Sequence, residues 1–182
     1  MFCISIYKRS PLTYRFLSKY LLCPSFSTLN KQLQQIPFKT GCNKIITQYL
    51  KLLATEIDSQ DLTCILLWDE LAIQPAVYYD KKTDRIIGFE DWGNRRTRKF
   101  ADHSIVFYIR CLASGNHMPL GYGYCCGTTI TMQLSKCIKE WLTLLIECGF
   151  KPVATVCDQG ATNIAAINFL IKETQSVLHI RE

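Results

Sequence analysis

The chain has 182 residues, 48% of them apolar and 20% charged, with a formal net charge of +6; this suits one medium domain with a small appendage and excludes a disordered or low-complexity chain. No apolar run approaches the ~20 residues of a membrane span, so a soluble chain with no membrane partner is expected. Met1–Tyr7 is too short for a signal peptide and its charges follow it, so the ten cysteines read as reduced thiols, most of them buried as small hydrophobes, and not as a disulfide framework.

Charge is unevenly placed. Residues 1–55 hold eight Lys/Arg and no Asp or Glu, whereas residues 56–182 hold thirteen against fifteen. Such an excess attracts a polyanion, nucleic acid being the commonest, or forms a solvated basic face. Zinc is not indicated: there is no Cys-x-x-Cys, Cys125 and Cys126 are adjacent, and His103, His117 and His179 lie far apart.

Ser10-Pro11 predicts a helix N-terminus, with Tyr14, Leu17 and Leu21 at helical spacing up to Pro24. A second helix is expected from Ser27 through Leu29, Leu33 and Ile36 to Pro37. The two flank the turn Cys23-Pro24-Ser25-Phe26 and resemble a helix-turn-helix, with Lys31 as a candidate nucleic-acid contact; packing against a core is the alternative. Asn43 caps a third helix whose expected apolar stripe is Ile45, Ile46, Tyr49, Leu52, Leu53 and Ile57. Residues 1–58 are thus expected to form a basic helical segment and residues 59–182 an α/β unit.

From Leu62 the run Leu-Thr-Cys-Ile-Leu-Leu-Trp predicts a strand buried on both faces and ending at Asp69-Glu70. Ala76–Tyr79 and Arg85–Phe89 predict a hairpin around the polar loop 80–84. Arg95, Arg96, Arg98 and Lys99 form a basic cluster between strands, either touching phosphates or solvated. Ser104–Leu112 and Leu120–Cys125 predict further strands. A helix follows over about 129–148, with Leu134, Ile138, Trp141, Leu145 and Cys148 inward and Gly149 as its stop. Pro152–Cys157 predicts another buried strand ending at Asp158, then an amphipathic helix from Gly160 to Lys172 through Ile164, Ile167, Asn168 and Ile171, and a partial strand at Ser176–Ile180.

This order implies a mixed sheet with flanking helices. A right-handed crossover through the long helix places the strand before Asp158 parallel to the strand before Asp69, so that their carboxyl ends adjoin. Two carboxylates at such ends suit Mg²⁺ or Mn²⁺, which takes hard oxygen ligands and leaves positions for phosphate; alternatively each aspartate caps a turn or helix.

Trp68-Asp69-Glu70-Leu71-Ala72-Ile73 with Tyr79–Phe89, then Pro119-Leu120-Gly121-Tyr122, then Val156-Cys157-Asp158-Gln159-Gly160-Ala161-Thr162-Asn163 resemble, in order, blocks of the RNase H-like domain of P element-type transposases, a family that includes the THAP-domain transposases. The resemblance runs from about residue 10 to 181, and Pro24–Leu33 resembles the helix-turn-helix segment preceding the nuclease. It implies an RNase H-like fold, truncated here, acting in metal-dependent DNA cleavage and strand transfer. Asp69 and Asp158 would be the catalytic metal-binding carboxylates; Glu70, which points elsewhere on an alternating strand, is structural or supports a metal ligand from behind, and Asn163 is a loop, capping or ligand-orienting residue. It further implies DNA as partner, a homo-oligomer or full-length transposase as a further one, and nuclear localisation. The family's zinc module has no counterpart in the cysteines and histidines present. Its nucleotide-binding insertion and third acid are expected downstream of this segment, since neither Glu173 nor Glu182 aligns with that acid. The expectation is a chain that is not a competent transposase alone, with a DNA- or protein-binding module lacking catalysis as the alternative.

Overall fold

The computed structural model describes residues 2–33, 39–81, 84–127 and 129–179. The chain divides into two compact units, Met1–Phe38 and Lys39–Glu182. The division falls before Asn43 and its helix, so this helix belongs with the sheet and not with the basic helices that the expected boundary at residue 58 grouped it with.

Among the described residues the first unit has three helices: α1 (Phe2–Arg9), α2 (Pro11–Leu17) and α3 (Phe26–Leu33). Ser10 caps α2 through its side chain, as Ser10-Pro11 foretold. The helix ends at Leu17 and not at Pro24; Leu21, expected on its inner face, is exposed. Ile36 and Pro37, expected at the end of α3, lie outside the described residues. Sequence periodicity did not reveal α1, which brings Tyr7 into edge-to-face contact with Tyr14 and Phe26 at 5.7 and 5.4 Å. Buried Tyr14 donates its hydroxyl to the Pro24 carbonyl at 2.7 Å, tying the α2–α3 connection to the aromatic cluster.

The second unit opens with α4 (Lys44–Glu56), capped by Asn43 Oδ1 accepting from the Ile45 amide at 3.0 Å. Its buried face is Ile46 and Leu50, whereas Ile45, Tyr49 and Leu52 of the expected stripe are exposed. The strands are β1 (Thr63–Ala72), β2 (Tyr78–Asp80), β3 (Arg85–Ile87), β4 (Phe89–Asp91), β5 (Arg96–Phe100), β6 (His103–Cys111), β7 (His117–Cys125) and β8 (Lys151–Val156). Helices α5 (Thr131–Glu147) and α6 (Ala161–His179) flank β8 in sequence. Among the described residues, six strands form one sheet in the order β5-β4-β7-β6-β1-β8, and β2 pairs with β3. β1 is antiparallel to β6 and parallel to β8, so the expected mixed sheet is present.

Several elements depart from expectation. β1 continues past Asp69 to Ala72, pairing Asp69 with Val106 and Glu70 with Ile105; the adjacent acids fit a strand because alternation sends them to opposite faces. One face of β1 is buried (Cys64, Leu66, Trp68), but Ile65 and Leu67 are only half-buried. The basic cluster is no loop, since Arg96–Phe100 is a strand at the sheet's edge. β7 begins at His117 and takes Pro119 in at a register shift opposite Tyr108. β8 pairs only with β1 among the described residues and leaves Val153 and Val156 exposed, so it is not a buried strand. α6 continues to His179 where a strand was expected from Ser176, since no Gly or Pro interrupts it. It buries Asn163 and Ala166, leaving Ile164 and Ile171 exposed.

The core lies between one sheet face and α5. Leu134, Ile138, Trp141, Leu145 and Cys148 are all buried as expected. Trp68, Phe107 and Trp141 run in contact, with ring centroids 6.3 and 5.9 Å apart. α5 ends in a Schellman motif: Gly149, at φ +95°, and Phe150 donate to the Ile146 and Leu145 carbonyls, which aims the chain back into β8. All ten cysteines are free thiols, five of them buried.

Gly121 on β7 lets Trp141 approach the sheet, because a Cβ there would lie 2.5 Å from the Trp141 ring and 2.9 Å from the Gly41 carbonyl. Gly121→Ala is expected to lower unfolding free energy by about 1–3 kcal/mol, the usual cost of overpacking. A urea-denaturation midpoint equal to wild type would show that the ring relaxes freely.

Candidate metal centre

The parallel pairing of β1 and β8 sets Leu67 opposite Val156. Two residues beyond each stand Asp69, still in β1, and Asp158, in the turn between β8 and α6. Both aspartates line one open cleft of about 390 Å³ on the sheet face away from α5, together with Leu67, Tyr108, Arg110, His117 and Cys157.

Each carboxylate is held by one oxygen. Asp69 Oδ1 accepts from the Glu70 amide at 2.8 Å. Asp158 Oδ1 accepts from the Gly160 amide at 3.1 Å and from Asn163 Nδ2. Among the described residues no hydrogen bond reaches Oδ2 of either, so each keeps an oxygen for an incoming ligand.

Asn163 is buried in the first turn of α6, and its Oδ1 accepts from Trp68 Nε1 at 2.9 Å while its amide nitrogen serves Asp158. It therefore links the inward face of β1 to the acid after β8. Gly160 leaves room for this arrangement, since a Cβ there would sit 3.1 Å from Asp158 Oδ1. Of the three roles open to Asn163 in the sequence, it takes the loop bond, with Trp68 as a second partner.

Glu70 points away from the cleft and accepts a hydrogen bond from Thr129 Oγ1, joining β1 to the residues before α5. Burial, and next the charge of Asp158, push the Cys157 thiol up, so it lines the cleft as a neutral thiol near pH 7. His117 Nδ1 lies 3.3 Å from the Gly115 carbonyl.

Tyr108, Arg110 and His117 were not singled out from the sequence. Alternation along β6 puts Val106, Tyr108 and Arg110 on the face of Asp69 once the β1–β6 register is known. That register was the missing signal.

The donor set fits Mg²⁺ or Mn²⁺, which commonly takes one or two carboxylates and completes its shell with waters and substrate phosphates. Among the described residues no group of three or more His, Cys, Asp or Glu side chains gathers as a ligand set. The remaining candidates lie elsewhere. Lys31 is on α3 in the first unit. Arg95 is in the turn before β5, its carbonyl accepting from the Trp92 amide at 2.8 Å. Arg96 donates to the Ile86 carbonyl, and Arg96 and Arg98, but not Lys99, line a cleft beside β3.

Replacing Asn163 with Ala strands the Trp68 indole N–H, whose residue is 2% exposed. The expected cost is about 1–3 kcal/mol of stability, the penalty for a buried donor left unsatisfied. Thermal melts of the variant check this, and an unchanged transition would mean that water reaches the indole.

Residues 38–171 match the family described as the TNP-like, RNase H N-terminal domain. No curated protein matches the chain. Among solved structures, the chain is similar to one described as the Drosophila P element transposase strand transfer complex, with a TM-score of 0.66 and 22% sequence identity. That similarity covers 92% of this chain and 34% of the other, so the chain spans about a third of that protein's length. At this identity the likeness establishes the fold, an RNase H-like mixed sheet with its helices. With three quarters of its length matched by the family, the chain belongs to the TNP-like, RNase H N-terminal domains.

Proposed function

We propose that this chain is part of a cut-and-paste DNA transposase nuclease, with Asp69 and Asp158 as the carboxylates that hold Mg²⁺ or Mn²⁺. The observation that carries the proposal is the convergence of the two aspartates, from adjacent parallel strands, on one open cleft. A metal held there supplies Lewis-acid polarisation of a phosphoryl oxygen and a water or hydroxyl nucleophile at neutral pH. The chain's own residues provide the rest. Asn163 fixes the Asp158 rotamer through Trp68, and the Asp69 side chain is steadied by the Glu70 amide. Tyr108, Arg110 and His117 form the cleft wall that a DNA strand would meet.

DNA is the proposed partner, recognised through its phosphates by Lys31 and the basic helices of the first unit and by Arg95, Arg96, Arg98 and Lys99 around β5. A second copy or a full-length transposase is a further proposed partner, and a nuclear location follows from a DNA substrate. A second reading, a DNA- or protein-binding module without chemistry, draws on one observation: only two carboxylates converge on the cleft among the described residues. On the nuclease reading, two carboxylates alone cut DNA at no appreciable rate, because losing a member of a catalytic set commonly costs several orders of magnitude.

Calorimetric titration with Mg²⁺ and Mn²⁺ tests the metal reading. Loss of even an outer partner of a metal ligand costs about 10–100-fold in affinity, so Asp69→Asn and Asp158→Asn are each expected to abolish measurable binding. Wild-type affinity in either variant, or no binding by wild type at millimolar metal, would remove the proposed centre and leave the binding module.

A further inference from the structure

A second cleft, of about 460 Å³, opens between β3 and the edge strand β5, lined by Arg85, Ile86, Phe89, Arg96, Thr97 and Arg98. Its arginines are not equivalent. Arg96 donates to the Ile86 carbonyl and lies 3.9 Å from Asp91 Oδ2, so it clips the β2–β3 hairpin to the sheet edge. Arg85 and Arg98 have no carboxylate partner among the described residues and are exposed. Gathering these cations at one open cleft is unfavourable unless an anion accompanies them.

Phe89 on the cleft wall is one half of an aromatic pair whose other ring, Phe100, lies beside the cleft. Phe89 stacks on Phe100 with ring centroids 5.5 Å apart and planes 20° apart, and Phe100 is 59% exposed. A phosphate alone needs no ring. A base in a duplex is already stacked on its neighbours, whereas an unpaired base presents a face to an aromatic side chain while its backbone follows positive charge.

We propose that this cleft binds unpaired nucleotides of a DNA strand, a base stacking on Phe100 and the flanking phosphates lying against Arg85 and Arg98. The inference rests on DNA being the partner of the acid-lined cleft, and it adds a second subsite on the same sheet face. Cross-strand partners share a face, and the row Leu71–Ser104–Tyr124–Asp91–Arg96 crosses five strands from β1 to β5. Leu71 is two residues from Asp69 and points to the same side. Four strand spacings of ~4.8 Å separate β1 from β5 by about 19 Å, between five and six base-pair steps at ~3.4 Å. A strand held at the acids therefore reaches this cleft within a few nucleotides.

Fluorescence anisotropy with the whole chain in EDTA tests the proposal without involving metal chemistry. The probes are a blunt labelled duplex and the same duplex with a single-stranded tail of about ten nucleotides. Wild type is expected to bind the tailed probe about tenfold more tightly, the contribution of one base–aromatic stack. Phe100→Leu keeps an apolar partner for Phe89 but should erase that preference. Arg85→Gln with Arg98→Gln should weaken binding to the tailed probe and lower its salt slope by about one to two. Equal binding of the two probes by wild type, or a tail preference that survives Phe100→Leu, overturns the subsite while leaving the DNA reading intact. Binding of neither probe overturns both.

Discussion

The parallel pairing of Thr63–Ala72 with Lys151–Val156 is the constraint on which the rest of the second unit depends. Without it Asp69 and Asp158, separated by most of the unit's sequence, would share nothing. The pairing is secured from the opposite side of the sheet. There Leu134, Ile138, Trp141 and Leu145 of α5 and Leu66, Trp68 and Phe107 of the sheet are all buried, Trp141 meets the Phe107 ring, and the Schellman turn at Gly149 returns the chain as β8. Packing thus occupies one face of the sheet and the two aspartates stand on the other. Because side chains alternate, a slip of one residue in β1 would turn Asp69 toward α5 and bring Trp68 into the cleft.

The same separation explains the segment from Asp158 to Asn163. The aspartate needs a fixed rotamer with one oxygen uncommitted, and the glycine leaves space for its carboxylate. The asparagine carries both a donor and an acceptor, so it can serve Asp158 and the indole of Trp68 at once. A leucine would satisfy neither, and an aspartate would set two like charges side by side. Trp68 in turn is fixed by its contact with Phe107. The position of Asp158 is therefore a consequence of core packing transmitted through one buried amide.

The residues most legible in the sequence were those whose burial dominates their surroundings. The apolar run before Asp69, the α5 stripe and the run before Asp158 each announced an element, and their order implied the crossover that joins the acids. Elements governed by long-range pairing were harder to read. β5 reads as a basic loop because an edge strand needs few apolar residues, and only its pairing with β4 reveals it. The adjacent acids Asp69 and Glu70 looked like the end of β1, yet each has its own partner on its own face. In α4 and α6 the buried faces differ from those suggested by apolar spacing, because the surfaces they pack on select Ile46, Leu50, Asn163 and Ala166. The cleft wall of Tyr108, Arg110 and His117 required the β1–β6 register, which a single sequence does not display.

The central claim is that two acids from distant parts of the chain form one cation site. Paramagnetic broadening by substoichiometric Mn²⁺ in an amide-resolved NMR spectrum tests it most directly. Signals of residues 69–70 and 158–160, with the Trp68 indole N–H, are expected to broaden together at the same metal concentration while the amides of β5 stay sharp. Broadening confined to one of the two segments, or centred on the surface acids Asp58 and Asp61, would contradict the shared site.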